Sequence, residues 1–434
     1  MPDSRVAVIV ATSLLVLLLF VLTAAASAPE YTPVTLAAVL GFAPLSPARV
    51  EAAGVRRRGV NVTRVVGDIA ARRAVAASST AKPVKHAAGA MQRCERSSLN
   101  AAVQHRMSKA RDPMFPALVD KGHLRAVASA LGERTPALLG LTQGCDGLPR
   151  VSELPQGWVL KARHTTGCTL VVVDGRVVAH KTCNGGVLWL REKILGAAHD
   201  RFVGRPVSDG LLREACASFT RELYVFALSE WAYSQLSPGV LIEELMRGPA
   251  TAAAQAAAAQ AVSAPLAEDL KCFVFHGATR FVLHVGGRLE GHKTDSVFDA
   301  ETGEMLDVTV KGSRRESDPS RAVFQRLPGL LPELRRRCDD AAAALGLDFV
   351  RVDFLLTEGA KGAQGAEAAE VKATASGWQL LLGEVTLYPG GGGFAWEPPE
   401  FDEDLGAFLG RSCAHAPGLA PAQFVWQRLG RRRR

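Results

Sequence analysis

Phe349-Val350-Arg351-Val352-Asp353-Phe354-Leu355-Leu356, a Gly/Ala-rich interruption, then Trp378-Gln379-Leu380-Leu381-Leu382-Gly383-Glu384-Val385-Thr386-Leu387-Tyr388-Pro389-Gly390: these two runs decide the fold. Both are short, apolar, rich in β-branched and aromatic residues and bordered by glycine, so they read as two adjacent strands. Their few polar residues recur at period two, Arg351 with Asp353 and Glu384 with Thr386. Side chains two apart on a strand share a face. Pairing the strands therefore gathers an Arg, two carboxylates and a hydroxyl on one otherwise apolar surface. Carboxylates buried without partners are costly, so the group needs a cation. Oxygen ligands on a rigid sheet suit magnesium, which is held by one or two carboxylates plus substrate phosphates. A structural Arg–Asp–Glu salt-bridge set is the plainer reading of the same spacing.

Further motifs lie upstream. Residues 154–173 read as strand, polar turn, strand, with Lys161 closing the first strand before the loop Ala162-Arg163-His164-Thr165-Thr166-Gly167. Backbone N–H groups in such a loop can fold over polyphosphate, and a lysine at its base adds a point charge. Residues 239–246 form a strand ending in Glu243 and Glu244. Residues 269–277 start another, with Asp269 and Lys271 on one face, and residues 281–285 pair beside it with Arg288 just beyond. Apolar positions at helical spacing over residues 208–236 and 327–347 predict helices over the sheets. Residues 120–127 read as a helix opened by Asp120.

Arg-x-Asp on one strand and Glu-x-Thr-x-x-Pro-Gly on the next resemble the metal-binding end of an ATP-grasp ligase. The wording Gly383-Glu384-Val385-Thr386-Leu387-Tyr388-Pro389-Gly390-Gly391-Gly392 is most similar to the TupA-like ATP-grasp family of teichuronopeptide synthesis. The resemblance covers residues 116–412 and implies an α+β ATP-grasp fold, with lobes at about 154–246 and 265–412 holding nucleotide between them. It implies ATP and Mg2+ as cofactors, with Asp353, Glu384 and Thr386 at the metal. Lys161, His164, Thr165, Thr166, Gly167, Glu243, Glu244 and Lys271 correspond to its nucleotide site. Lys271, Arg351 and Arg288 correspond to its catalytic group. Relatives carry Cys-Asn-His-Gly-Ser-Gly after the first lysine; this chain keeps the His and the last Gly in a bulkier loop. The implied reaction joins a carboxylate to an amine through an acyl phosphate, on a polysaccharide or cell-surface glycan acceptor. His164 and His284 are candidates for a general base. Rival readings are phosphoryl transfer to a sugar hydroxyl, and a membrane-anchored glycosyltransferase using Asp402-Glu403-Asp404.

The formal charge of +8 is uneven: residues 1–115 hold 15 Lys/Arg against 6 Asp/Glu. The excess belongs to an N-terminal segment poor in aromatics, which weakens a nucleic-acid reading and leaves none among the expected partners. Residues 6–26 form a nearly unbroken apolar run of 21, long enough to span a bilayer, so residues 1–28 are expected to be a signal anchor or a cleaved leader ending at Ala26-Ser27-Ala28. The chain is then membrane-attached by a single pass in the ER or Golgi, or secreted if the leader is cut. Residues 29–115 read as a basic, low-complexity stem with short helices near 62–78 and 91–109, folded character starting near Asp112, and residues 413–434 as a basic tail. Asn61-Val62-Thr63 fits an N-glycosylation acceptor. Residues 359–377 are expected to be a protruding loop. The eight cysteines show no C-x-x-C pair and are expected to be mostly buried thiols.

Overall fold

The computed structural model describes residues 61–78, 98–183, 202–221, 230–248, 266–286, 294–311, 313–315, 322–358 and 378–410. The expected anchor, most of the stem, Arg288, the 359–377 loop and the 413–434 tail lie outside them. Among the described residues no helix is long and apolar enough to cross a membrane.

Helices α1 (Val62–Ser78), α2 (Leu99–Lys109), α3 (Phe115–Val119) and α4 (Leu124–Leu131) precede two sheets. The first sheet has the order β1-β5-β2-β3-β4, from Leu138–Thr142 (β1), Gly157–Ala162 (β2), Thr169–Val173 (β3), Arg176–Lys181 (β4) and Val240–Glu244 (β5). Alternation sorts its faces: Trp158, Leu160, Ile242 and Val240 enter a core with helix α5 (Asp209–Arg221), which contributes Leu212, Ala215 and Phe219. Lys161 and Glu243 therefore point the other way. Residues 208–236 are not one helix throughout: α5 is described as far as Arg221, Glu230 is not helical, and a short α6 (Trp231–Ser234) follows it.

The second sheet has the order β10-β8-β7-β6-β11-β12. Its strands are Glu268–Phe275 (β6), Ala278–Gly286 (β7), Thr294–Asp299 (β8), Arg314–Arg315 (β10), Phe349–Glu358 (β11) and Trp378–Thr386 (β12). A two-residue β9 (Thr309–Val310) pairs separately with β13 (Trp396–Glu397). Helix α7 (Ala322–Leu345) packs on β6, β7 and β11, and α8 (Glu400–Gly410) closes the lobe. The β6–β7 turn places His276 and Gly277 at φ 49° and 76°, the left-handed pair that a tight hairpin needs.

Two expectations change. The segment read as stem supplies structural helices: Ile69 of α1 and Leu99, Val103 and Met107 of α2 are buried in the second lobe's core. Arg106 of α2 donates to the Phe349 carbonyl (2.7 Å) and pairs with Asp348. Gln104 donates to the Gly392 carbonyl (2.8 Å), so the run Pro389–Gly392 is a seat for α2. Gly392 lies at φ 66°, and a Cβ there would meet the Asn100 carbonyl at 2.8 Å, which is why glycine stands there. Asp402 accepts from the Asn100 N–H (3.1 Å) at the head of α2, a capping role for one acid of the Asp-x-Asp pair.

The cysteines are the second change. Six of the eight form disulfides, Cys145–Cys216, Cys168–Cys183 and Cys272–Cys338. Their spacing carries no signature because each pair is brought together by the fold, with 71, 15 and 66 residues between partners in sequence number. Closing the two long loops is worth about 4 kcal/mol each in the chain-entropy account.

Burying Ile69, Leu99, Val103 and Met107 contributes roughly 1.5–3 kcal/mol apiece, a sum comparable to a domain's whole stability of about 5–15 kcal/mol. A chain starting at residue 113 is therefore expected to lose cooperative thermal unfolding by circular dichroism. A melting point equal to that of the full chain would show that α1 and α2 are dispensable.

Candidate active site

The centre is Asp353 on β11. Register places it between Lys271 of β6 on one side and Glu384 of β12 on the other, with Arg351 opposite Thr386 two residues away. Arg351 grips Asp353 through Nε and one terminal nitrogen, both at 2.7 Å, and donates to the Thr386 hydroxyl at 3.0 Å. Lys271 Nζ donates to Asp353 at 2.6 Å and lies 3.6 Å from Asp269. Glu384 meets Arg351 only at 3.8 Å, and its side chain is 34% exposed. A β-bulge at Gly383 follows the Asp353–Glu384 pair, and such a bulge re-aims the neighbouring side chain.

Burial alone would raise the Asp353 pKa; Arg351 and then Lys271 outweigh it and hold the carboxyl at about 2. Burial works against the Arg351 charge too, but Asp353, Glu384 and Asp269 overcome it and raise its pKa.

The first lobe supplies Lys161, whose Nζ donates to Glu243 at 2.6 Å, while Arg125 of α4, a helix packed in the second lobe's core, stands 3.8 Å from the same carboxylate. Burial disfavours charge on Lys161, yet Glu243 and, from the second lobe, Glu384 and Asp269 raise its pKa. The two sheets thus present their charged faces to one cleft. Glu243 is buried and spoken for by Lys161, whereas Glu244 is exposed at the strand end.

Asp120 does not open a helix. Pro116 near the start of α3 sets that helix at Phe115, and Asp120 follows it. Its carboxylate takes the Gly122 N–H (2.8 Å) and both ends of the Arg163 guanidinium (3.0 and 2.5 Å). That turn aims Lys121 at the loop after β2, where it donates to the Thr165 carbonyl at 2.7 Å. Burial lowers the Lys121 pKa, against the pull of Glu384, Asp120 and Glu243, with Lys161 adding to the drop.

Thr165 is buried, and its hydroxyl has no hydrogen-bond partner among the described residues. Gly167 sits at φ 88°, and Thr166 between them is half-buried. His164 is buried with Nδ1 3.3 Å from the Gly239 backbone. Glycine stands at 239 because a Cβ there would meet the Thr142 carbonyl at 2.6 Å.

His284 pairs across from Leu270 and Ser296, so it faces the α7 side of the sheet, opposite Lys271, and contacts Glu268 at 3.1 Å. It is no general base for this cleft. Sequence reasoning missed Lys121 and Tyr233. Tyr233 of α6 lies under Lys121, its ring centroid 5.6 Å from Nζ, and burial, then Glu384, push its pKa well up. The Asp-Lys dipeptide was the available signal for Lys121.

Among the described residues no group of three or more His, Cys, Asp or Glu surrounds a metal position. The donor set here is two carboxylates opposite each other, with the partly exposed Glu384 the accessible one. That fits magnesium, which keeps waters and substrate phosphates as its remaining ligands, and does not fit an all-protein cage.

No family model matches the chain, and no curated protein matches it. Among solved structures it is similar to the ATP-grasp ligase PsnB complexed with a phosphomimetic variant of its minimal precursor, Mg and ADP. That match has 13% identity and a TM-score of 0.30 over 68% of this chain and 60% of that one. It is also similar to a biotin carboxylase–β-γ-ATP complex from Campylobacter jejuni (12% identity, TM-score 0.32, 71% of this chain and 49% of that one). An L-amino acid ligase from Bacillus licheniformis follows (13%, 0.26, 65% and 43%). The matches thus span less than two thirds of each of these three chains. Likeness at these TM-scores carries no weight for activity.

Asp353 is held below its ordinary 3.8, so its stabilising contribution is complete above about pH 4 and is lost as pH falls through about 2; the shift is worth ~2 kcal/mol. Asp353→Asn is expected to cost roughly 3–5 kcal/mol at pH 7, because Arg351 and Lys271 lose their buried partner. It should also flatten the fall in stability between pH 4 and 2. Urea titrations across that window measure both; an unchanged acid limb in the variant would refute the assignment.

Proposed function

We propose that the chain is an ATP-dependent carboxylate–amine ligase of the ATP-grasp type, acting in a secretory compartment. The observation that carries it is the meeting, in one cleft, of Lys161 from the first lobe and Lys121 from the α3–α4 turn with Lys271, Arg351, Asp353 and Glu384 from the second lobe's sheet. Phosphoryl transfer asks a protein mainly for positioned cations and little covalent chemistry, and this cleft offers four. A magnesium ion beside Glu384 and Asp353, with Thr386 adding an oxygen, would screen phosphate charge. The 163–167 loop, clamped by Asp120 and Lys121, offers backbone N–H groups and the unpartnered Thr165 hydroxyl to a polyphosphate.

Lys271 and Arg351 then neutralise charge on the γ-phosphoryl group as it leaves ADP for a substrate carboxylate oxygen. The resulting acyl phosphate is attacked by an amine; the C–N bond forms, the C–O bond to phosphate breaks, and a proton leaves the amine. With His284 on the wrong face and His164 tied to Gly239, the residues in reach orient and neutralise, and supply no evident base. Arg288 is proposed as a substrate contact by its position after β7. The TupA-like wording of β12 supports a glycan-linked carboxylate, such as a uronic acid, as acceptor. The three disulfides support the secretory setting.

The full chain is assayed with Mg-ATP, a panel of uronic and amino acids, and hydroxylamine. ADP release with hydroxamate formation, dependent on the carboxylate, is the expected result; hydroxamate reports an acyl phosphate, which transfer to a hydroxyl does not form. Glu384→Gln should reduce turnover at least 100-fold. ADP release without hydroxamate would transfer the assignment to a kinase, and full activity in Glu384→Gln would overturn the metal position.

A further inference from the structure

We infer that Asn61 is a modification site and carries the chain's N-linked oligosaccharide. The chain has only three asparagines, Asn61, Asn100 and Asn184, and only Asn61 is followed by any residue but Pro and then Ser or Thr. Asn61 and Thr63 are both exposed at the head of α1. Asn61 uses Oδ1 to accept the Arg64 N–H at 3.0 Å, capping the helix. Its Nδ2 has no partner among the described residues. Glycosylation uses Nδ2 and keeps the amide oxygen, so cap and glycan are compatible on one side chain. In the transfer, Nδ2 forms a bond to the anomeric carbon of a lipid-diphosphate-linked oligosaccharide. The anomeric C–O bond to phosphate breaks, and the Nδ2 proton leaves with the diphosphate.

Two further observations bear on this independently of the motif. Three disulfides join cysteines brought together by the fold, and such bonds persist in the compartments where this transfer occurs. The place is also open. Helix α1 packs on α7 and α4, and α7 is bonded through Cys338 to Cys272, whose side chain faces away from the Lys271 side of the sheet. A glycan on α1 therefore sits behind the second lobe and leaves the cleft clear. None of this depends on the ligase reading.

The full chain is expressed in eukaryotic cells, treated with peptide-N-glycosidase and resolved by electrophoresis. One downward mobility shift is expected for the wild type and for Thr63→Ser. Asn61→Asp, which keeps a good helix cap, and Thr63→Ala should both run at the deglycosylated position without treatment. Absence of a shift in the wild type, or a shift that survives in Asn61→Asp, overturns the assignment. So does full alkylation of the six paired cysteines in chain isolated from those cells without reductant.

Discussion

One carboxylate organises the second lobe. Asp353 is buried on the next-to-edge strand of a six-stranded sheet, where an unpaired charge would cost several kcal/mol. It is tolerated because Arg351 reaches it along the same strand and Lys271 reaches it across the ladder. Those contacts require β6, β11 and β12 to lie side by side in one register. A slip by one residue would send Lys271 or Glu384 to the α7 face. The charge pattern and the strand register therefore specify each other. The structural salt-bridge set and the proposed metal site, rival readings of one spacing, would draw on the same residues. Arg351 and Lys271 keep Asp353 charged, while Glu384, more loosely held, remains accessible to an incoming cation.

The two lobes divide the work. Each sheet buries one face against helices, α5 in the first lobe and α7 in the second, and turns its charged face to the common cleft. The three disulfides each close within a single lobe, two in the first and one in the second. None of them ties one sheet to the other; the first sheet's loop is joined to the second lobe's core through the α3–α4 turn, where Asp120 pairs with Arg163 and Lys121 donates to the Thr165 carbonyl. Lys161 feels Glu384 and Asp269 across the cleft, and a polyphosphate bound there would replace like-for-unlike attraction with direct contacts to both sides.

What the sequence disclosed follows from the range of its signals. Period-two polarity is local, so the gathering of Arg351, Asp353, Glu384 and Thr386 on one face is legible from the chain alone, whereas the register that sets Arg351 opposite Thr386 and Asp353 opposite Glu384 is not. The strand character around Lys161 and Lys271 was equally local. The partnership of Lys161 with Glu243 was not, since nothing in either strand says which strand lies beside it. Disulfide pairing failed for the same reason. The Asp120 turn was misread because Asp120 ends the short helix α3 and its carboxylate holds the Gly122 N–H in a turn, so the next helix starts only at Leu124. For α2 a short helix near 91–109 was legible but its burial was not: Leu99, Ala102, Val103 and Met107 enter the second lobe's core, while Ala- and Arg-rich composition reads as a stem. Asp402, part of the Asp402-Glu403-Asp404 run, accepts from the head of that same helix, a partnership 302 residues apart that no local signal shows.

Calorimetric titration of the full chain with a non-hydrolysable ATP analogue tests the central claim most directly. The wild type should bind only when magnesium is present. Lys161→Met and Glu384→Gln, which alter different lobes, should each weaken binding by at least tenfold. Magnesium-independent binding, or affinity unchanged in both variants, would contradict a nucleotide site built between the two sheets.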